Sequence, residues 1–393
     1  MHIAERMRDV HGEAAFAQLA RANELERGGR SIIHLEIGEP DFDTPRPIVD
    51  SAIDWLGNGA THYTPSAGIA ELREAIAEEI RGTYSVDVGA GQVVVGPGAK
   101  MMLFSIIMSV VDPGDEVIVP NPAFPAYGTA IEIARGKLVP VPLRESNEFR
   151  LRVEDLESRI TPKTRMVVLN SPQNPTGGVL TADDLEAIAK LALKHDFLIL
   201  SDEIYSDIFY GERPETMLRF DSVRDRLLLV HGFSKTFAMT GWRLGFAVLP
   251  DDLVETVVLF INSSVSCTAE FSQRAAVTAF GEQTKPAVRR MVGEFEKRRD
   301  LIVDGLNGIE GIRCLRPHGA FYVFPNVTDL NVPEGVLAER LLEEAGVSAL
   351  PGTAFGRFGE GYLRFSFANS LEKIGQALER IHQFVRKLDR VSA

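Results

Sequence analysis

The chain has 393 residues, of which 45% are hydrophobic and 25% charged. This is ordinary globular composition on a chain too long for one ordinary core, so two domains are expected. Lys plus Arg number 42 against 55 Asp plus Glu, a net charge of −13, which argues against nucleic acid or an anionic membrane as a partner.

The first nine residues are charged and lack an apolar centre, so they do not read as a secretory signal. The longest apolar run, Met101 to Val111, is well short of the ~20 residues a membrane-spanning helix needs. It reads as a buried helix. Cys267 and Cys314 form no CxxC pair, which fits a reducing cytoplasm and calls for no metal.

In chain order, Ala14 to Glu26 reads as an amphipathic helix closed by Gly28-Gly29. Ile32 to Ile37 reads as a short strand leaving through Gly38-Glu39-Pro40. Strands and helices then alternate to about Val265. Val93 to Gly96 precedes the Met101 helix, and Glu116 to Val119 precedes a helix from Tyr127 to Ala134. Met166 to Leu169 precedes a helix from Asp183 to Lys194. Phe197 to Ser201 runs into Asp202, and Leu227 to Val230 runs toward Lys235. Short apolar strands with helices between them predict an α/β fold on a mostly parallel sheet covered on both faces. Gly245 to Leu249 follows at once and reads as an antiparallel member.

After about Phe280 the texture changes. A long charged helix from Val288 to Leu306 precedes a strand at Ala320 to Phe324. A helix from Leu337 to Ala345, a strand at Leu363 to Phe367 and a helix from Leu371 to Leu388 complete a smaller α+β part. The expected division is an N-terminal segment, 1–44, packing on the small domain or at a subunit interface, a large domain, 45–280, and a small domain, 281–393.

Ligands of open parallel sheets bind beyond the C-terminal strand ends. Four strand ends here carry residues suited to one cofactor. The turn Gly96-Pro97-Gly98-Ala99-Lys100 opens a helix, so its free N–H groups make an anion site; an ordinary tight turn would look the same. Asn170-Ser171-Pro172-Gln173-Asn174-Pro175-Thr176-Gly177 is stiffened by two prolines and offers the Asn174 amide. Asp202 ends an apolar strand, placed either to pair with a pyridinium nitrogen or to cap a helix, and Tyr205 follows three residues on. Ser234-Lys235 supplies an amine fit for a Schiff base, with Arg243 as a phosphate fork. In the small part, Arg364 sits between apolar neighbours and needs a carboxylate, internal or from a substrate.

Gly38-Glu39-Pro40-Asp41-Phe42, Asn174-Pro175-Thr176-Gly177, Asp202-Glu203-Ile204-Tyr205 and Ser234-Lys235 with Thr240-Gly241 and Arg243, in this order, resemble the class I/II aminotransferases of fold type I. The bacterial aspartate and aromatic aminotransferase branch is the nearest. The resemblance covers nearly the whole chain and implies pyridoxal phosphate as cofactor. It implies that Lys235 holds the cofactor and shuttles a proton, that Asp202 pairs with the ring nitrogen, and that Tyr205 and Asn174 bond the ring oxygen. Arg243, Ser234 and the backbone of Gly98, Ala99 and Lys100 would hold the phosphate, with Phe124 stacked on the ring. Arg364 would clamp the substrate carboxylate near Gly38 and Asn174. Tyr63 would reach the partner subunit's phosphate, which implies a homodimer with shared sites.

The activity so implied is ping-pong exchange of an amino group between an L-amino acid and a 2-oxo acid. A β-lyase, a decarboxylase or a cyclase would share the same core residues. A cofactor-sensing regulator would need a DNA-binding segment before the fold, and the fold begins near residue 15. In one aspartate- and prephenate-using branch a lysine at the Lys100 position meets the substrate's distal carboxylate, yet the companion threonine is here Ala15. Phe124, Tyr322 and Phe355 could equally line an apolar or aromatic side-chain pocket.

Overall fold

The computed structural model describes residues 3, 4, 7, 10 and 12–391. Helix α1 (Ala14–Arg27) leads to strand β1 (Ile33–His34) and helices α2 (Arg46–Gly57) and α3 (Ala70–Tyr84). Then come β2 (Val93–Gly96), α4 (Ala99–Val110), β3 (Glu116–Asn121), α5 (Ala126–Ile133) and β4 (Lys137–Pro142). The short α6 (Val153–Glu157) precedes β5 (Thr164–Asn170), α7 (Ala182–His195), β6 (Leu198–Asp202), β7 (Leu227–Gly232) and β8 (Gly245–Val248).

Seven of these strands form one sheet in the order β2-β8-β7-β6-β5-β3-β4. Strand β8 runs antiparallel to both of its neighbours, and the other pairings are parallel. Val93 to Val95 and Met166 to Leu169 are buried throughout, as strands covered on both faces must be. Helix α4 is apolar on most sides and lies in the core, with Met102, Ile106 and Ile107 fully buried. Helix α7 starts on a capping box: Thr181 Oγ1 accepts from the Asp184 amide at 3.2 Å, and Asp184 Oδ2 accepts from the Thr181 amide at 2.9 Å.

Beyond the sheet lie α8 (Asp251–Val265), α9 (Glu270–Val277) and the long α10 (Lys285–Asn307). They are followed by β9 (Tyr322–Val323), α11 (Glu334–Arg340), β10 (Val347–Ser348), β11 (Leu350–Pro351), β12 (Leu363–Ser366) and α12 (Leu371–Val391). Strands β11, β12 and β9 form a small antiparallel sheet. Helices α10 and α12 share a core with it that includes Phe295, Phe321, Phe365 and Phe367.

Several elements differ from the sequence reading. Helices α2, α3, α8 and α9 and strand β4 were not expected. The helix expected from Leu337 to Ala345 is helical only to Arg340, and a wider π turn covers Leu341–Ala345. The strand expected at Ile32 to Ile37 pairs with β10 only at Ile33 and His34. Beyond that pairing, the Glu36 carbonyl near its end accepts from Arg364, and the carbonyl of Gly38, just past it, accepts from Lys235.

Candidate active site

Strand register assembles the site. Asn170 stands beside Asp202, and Asp202 beside Val230, so β5 and β6 end level while the parallel β7 runs two residues further, to Gly232. The loops that leave these ends carry Asn174, Tyr205 and Lys235 to one place. A cavity of about 530 Å³ opens there. Gly38, Ala99, Lys100, Phe124, Asn174, Asp202, Tyr205, Ser234, Lys235, Arg243 and Arg364 all line it.

Three residues named from sequence do not: Gly98, Tyr63 and Phe355, whose ring packs instead against the Arg364 guanidinium. Gly98 lies behind Arg243: its φ of +93° suits glycine, and a Cβ there would stand 2.6 Å from a guanidinium nitrogen. Tyr63 is 89% exposed and away from the cavity of its own chain.

Asp202 is buried at the end of β6. Its Oδ2 accepts from the Tyr127 hydroxyl at 2.6 Å and its Oδ1 from the Ile204 amide at 3.2 Å. Burial raises its pKa to about 6, against the pull of those two donors and of Lys235. The Asn170 side chain donates to the Asp202 carbonyl at 3.0 Å and accepts from the Asn174 amide at 2.9 Å, which ties two strand ends together.

Lys235 donates to the Gly38 carbonyl. Burial lowers its pKa to about 8; Glu39 opposes that shift, while Arg364, Arg243 and Lys100 add to it. An amine so placed becomes nucleophilic near neutral pH. Arg243 anchors through Thr240 O at 2.8 Å and keeps its remaining donors for the cavity.

Arg364 is buried and packs between Tyr322 and Phe355, 4.7 and 4.8 Å from the two ring centroids. It donates to Asn174 Oδ1 at 3.2 Å and to the Glu36 carbonyl. Its Nε has no partner among the described residues. Among the described residues no carboxylate pairs with it, so the internal-partner alternative raised by the sequence is not realised there. The Tyr322 hydroxyl lies 2.8 Å from that of Tyr205, and burial raises the pKa of both phenols.

Tyr127, Glu13 and Phe16 also line the cavity, and sequence reasoning missed all three. Tyr127 stands three residues after Phe124, at the start of the helix expected from Tyr127 to Ala134, but its partner Asp202 is 75 residues away. Glu13 pairs with Lys100.

The donor set fits pyridoxal phosphate. A buried amine suits its aldehyde, a buried carboxylate its ring nitrogen, and an arginine packed on a glycine turn its phosphate. The fold and this set of side chains define a pyridoxal-phosphate-dependent α/β enzyme.

Comparison with known proteins agrees. The family model "Aminotransferase class I and II" matches residues 30–381. An aromatic-amino-acid aminotransferase of Thermococcus litoralis is 41% identical over 94% of this chain and 96% of its own. An aspartate aminotransferase of Pyrococcus abyssi is 40% identical over the same shares, 94% and 96%. The structure of the Thermus thermophilus aspartate aminotransferase with maleate superposes with a TM-score of 0.94 at 37% identity, covering 98% of this chain and 99% of the other. The chain therefore belongs to the class I and II aminotransferases. It is a pyridoxal-phosphate-dependent aminotransferase.

Proposed function

We propose that the cavity exchanges an amino group between an L-amino acid and a 2-oxo acid, with the α-carboxylate held by Arg364. The carrying observation is that Arg364 lies buried in the same cavity as Lys235, with Nε unpartnered and no carboxylate paired to it among the described residues. A guanidinium in that state binds a carboxylate through its fork. Pyridoxal phosphate, when bound, supplies an aldehyde carbon for amines and a ring that draws electrons from the substrate bonds at Cα.

The chain's own groups do the rest. Lys235 would hold the cofactor, then, once freed from it, take the Cα proton as general base and deliver it to the cofactor's aldehyde carbon. Asp202, tied to Tyr127, would face the ring nitrogen and keep its proton in place. Tyr205 and Asn174 would face the ring oxygen, and Phe124 one ring face. Arg243, Ser234 and the amides of Ala99 and Lys100 would take the phosphate; the Gly98 amide, chosen from sequence, instead donates to the Gly96 carbonyl at 2.7 Å. Gly38 would border the substrate, its carbonyl holding the Lys235 amine meanwhile.

We also propose a cytoplasmic homodimer with shared sites and the division 1–44, 45–280 and 281–393. A surface hollow lined by Val49, Ile53, Leu56 and Phe271 runs to Trp242 and Arg243, so an apolar face meets the phosphate end of the cavity. The exposed Tyr63 would reach a second copy from such a face. Among the described residues no helix is long and apolar enough to cross a membrane.

The test is a panel of amino acids added to the holoenzyme without an acceptor. Conversion of the visible cofactor band to the pyridoxamine form, with release of the matching 2-oxo acid, is expected. Release of ammonia and pyruvate instead would show a lyase and overturn the proposal.

A further inference from the structure

One end of the cavity is built by the segment before and within α1: Glu13, Ala15 and Phe16. Glu13 occupies the N-cap position of α1, yet its side chain makes no cap hydrogen bond. It reaches instead across 87 residues to the ammonium of Lys100. Lys100 lies in the first turn of α4, at the positive end of that helix, where a cation is disfavoured. It therefore gains from a neighbouring anion. Two rings complete its surroundings, with the Phe124 centroid at 5.2 Å and the Phe16 centroid at 5.9 Å.

This arrangement has a consequence for the substrate's side chain, given that Arg364 takes the α-carboxylate. An ammonium facing the cavity would attract a second carboxylate. Here that ammonium already holds one. A dicarboxylic amino acid would have to bring its distal carboxylate beside Glu13 or displace it, against like-charge repulsion. An apolar or aromatic side chain meets no such opposition, and it finds Phe16, Phe124 and the methyl of Ala15.

We propose that Glu13 is a specificity-determining residue: by neutralising Lys100 it turns the cavity toward amino acids with uncharged, apolar or aromatic side chains. The inference rests on Arg364 as the α-carboxylate site and deepens that reading.

The experiment compares wild-type, Glu13→Gln and the double variant Glu13→Gln/Lys100→Met as holoenzymes. Dissociation constants for succinate and 3-phenylpropanoate, neither of which can react, are read from the cofactor absorbance. Single-turnover kcat/KM is measured for aspartate and for phenylalanine. Wild type is expected to favour phenylalanine. In Glu13→Gln the aspartate-to-phenylalanine ratio of kcat/KM should rise roughly tenfold, and succinate should bind more tightly by a similar factor. In the double variant both gains should vanish. An unchanged ratio in Glu13→Gln, or a wild type that already favours aspartate, would overturn the proposal. If no amino acid in the panel changes the cofactor band, transamination at this site fails instead, a different and separable result.

Discussion

Two lysines face one cavity, and their surroundings could hardly differ more. Lys235 is enclosed at the strand ends, has a backbone carbonyl as its hydrogen-bond partner, and has its pKa lowered by burial to about 8. Lys100 stands toward the mouth, 47% exposed, held by a carboxylate from another segment of the chain. Enclosure prepares an amine for covalent chemistry because it disfavours the ammonium. Pairing at a wet rim is cheap to make and cheap to exchange, so it suits a choice between substrates. The enclosed end rests on Asp202 and Asn170, tied by sheet register, and on Tyr127 of α5, tied to Asp202 by a hydrogen bond; the mouth rests on a helix start and one ion pair.

Changes at the enclosed end should therefore cost most. Arg364→Ala removes a buried fork and leaves Asn174 and the Glu36 carbonyl without their donor. A loss of about a hundredfold in kcat/KM for every amino acid is expected, from the value of charged hydrogen bonds. A loss confined to some side chains would place the α-carboxylate elsewhere.

Tyr127→Phe should cost roughly tenfold at pH 7. The phenol opposes the upward push of burial on Asp202, so its loss lets the carboxylate take a proton at higher pH. The deficit should grow as pH falls from 8 to 5 in a profile of kcat/KM. A deficit constant with pH would mean that Tyr127 acts by packing alone.

The pH response of Lys235 is of similar size. Capture of pyridoxal phosphate by the apoprotein should speed up through pH 8 and level off above it, slowing about tenfold per unit below. Linkage has the same sign. The unfolded chain keeps the Lys235 proton up to its ordinary pKa of 10.5, whereas the folded chain loses it near 8. This group's contribution to apoprotein stability therefore rises between those two values and is absent below them as a pH-dependent gain. A capture profile centred near 10.5 would show that burial does not tune the amine.

The smallest effect lies far from both lysines. Thr181→Ala removes the cap of α7 and should lower stability by about 1 kcal/mol in denaturant titration, with kcat unchanged.

The enclosed end was largely legible in the sequence, and the mouth was not. Asp202 and Lys235 follow buried strands, and Asn174 and Arg364 sit in equally telling places, a proline-stiffened loop and an apolar strand. Local sequence records such positions directly. Tyr127 and Glu13 act through partners 75 and 87 residues away, and nothing near either one encodes the contact. Strand β4 escaped notice because it carries Pro140 and Pro142, and proline argues against a central strand. It is one of the two edge strands of the seven, where a missing donor is tolerated. The strand expected at Ile32 to Ile37 divides its backbone bonds: Leu35 donates to Ser348 of β10 and accepts from Ser366 of β12, and the Glu36 carbonyl serves Arg364.

The central claim is that Lys235, and not Lys100 or any other amine, carries the cofactor. Borohydride reduction of the holoenzyme, followed by peptide mapping, tests it directly. One stable pyridoxyl label per chain is expected, on Lys235, and none in Lys235→Ala. A label on Lys100, or a holoenzyme that takes no label, would contradict it.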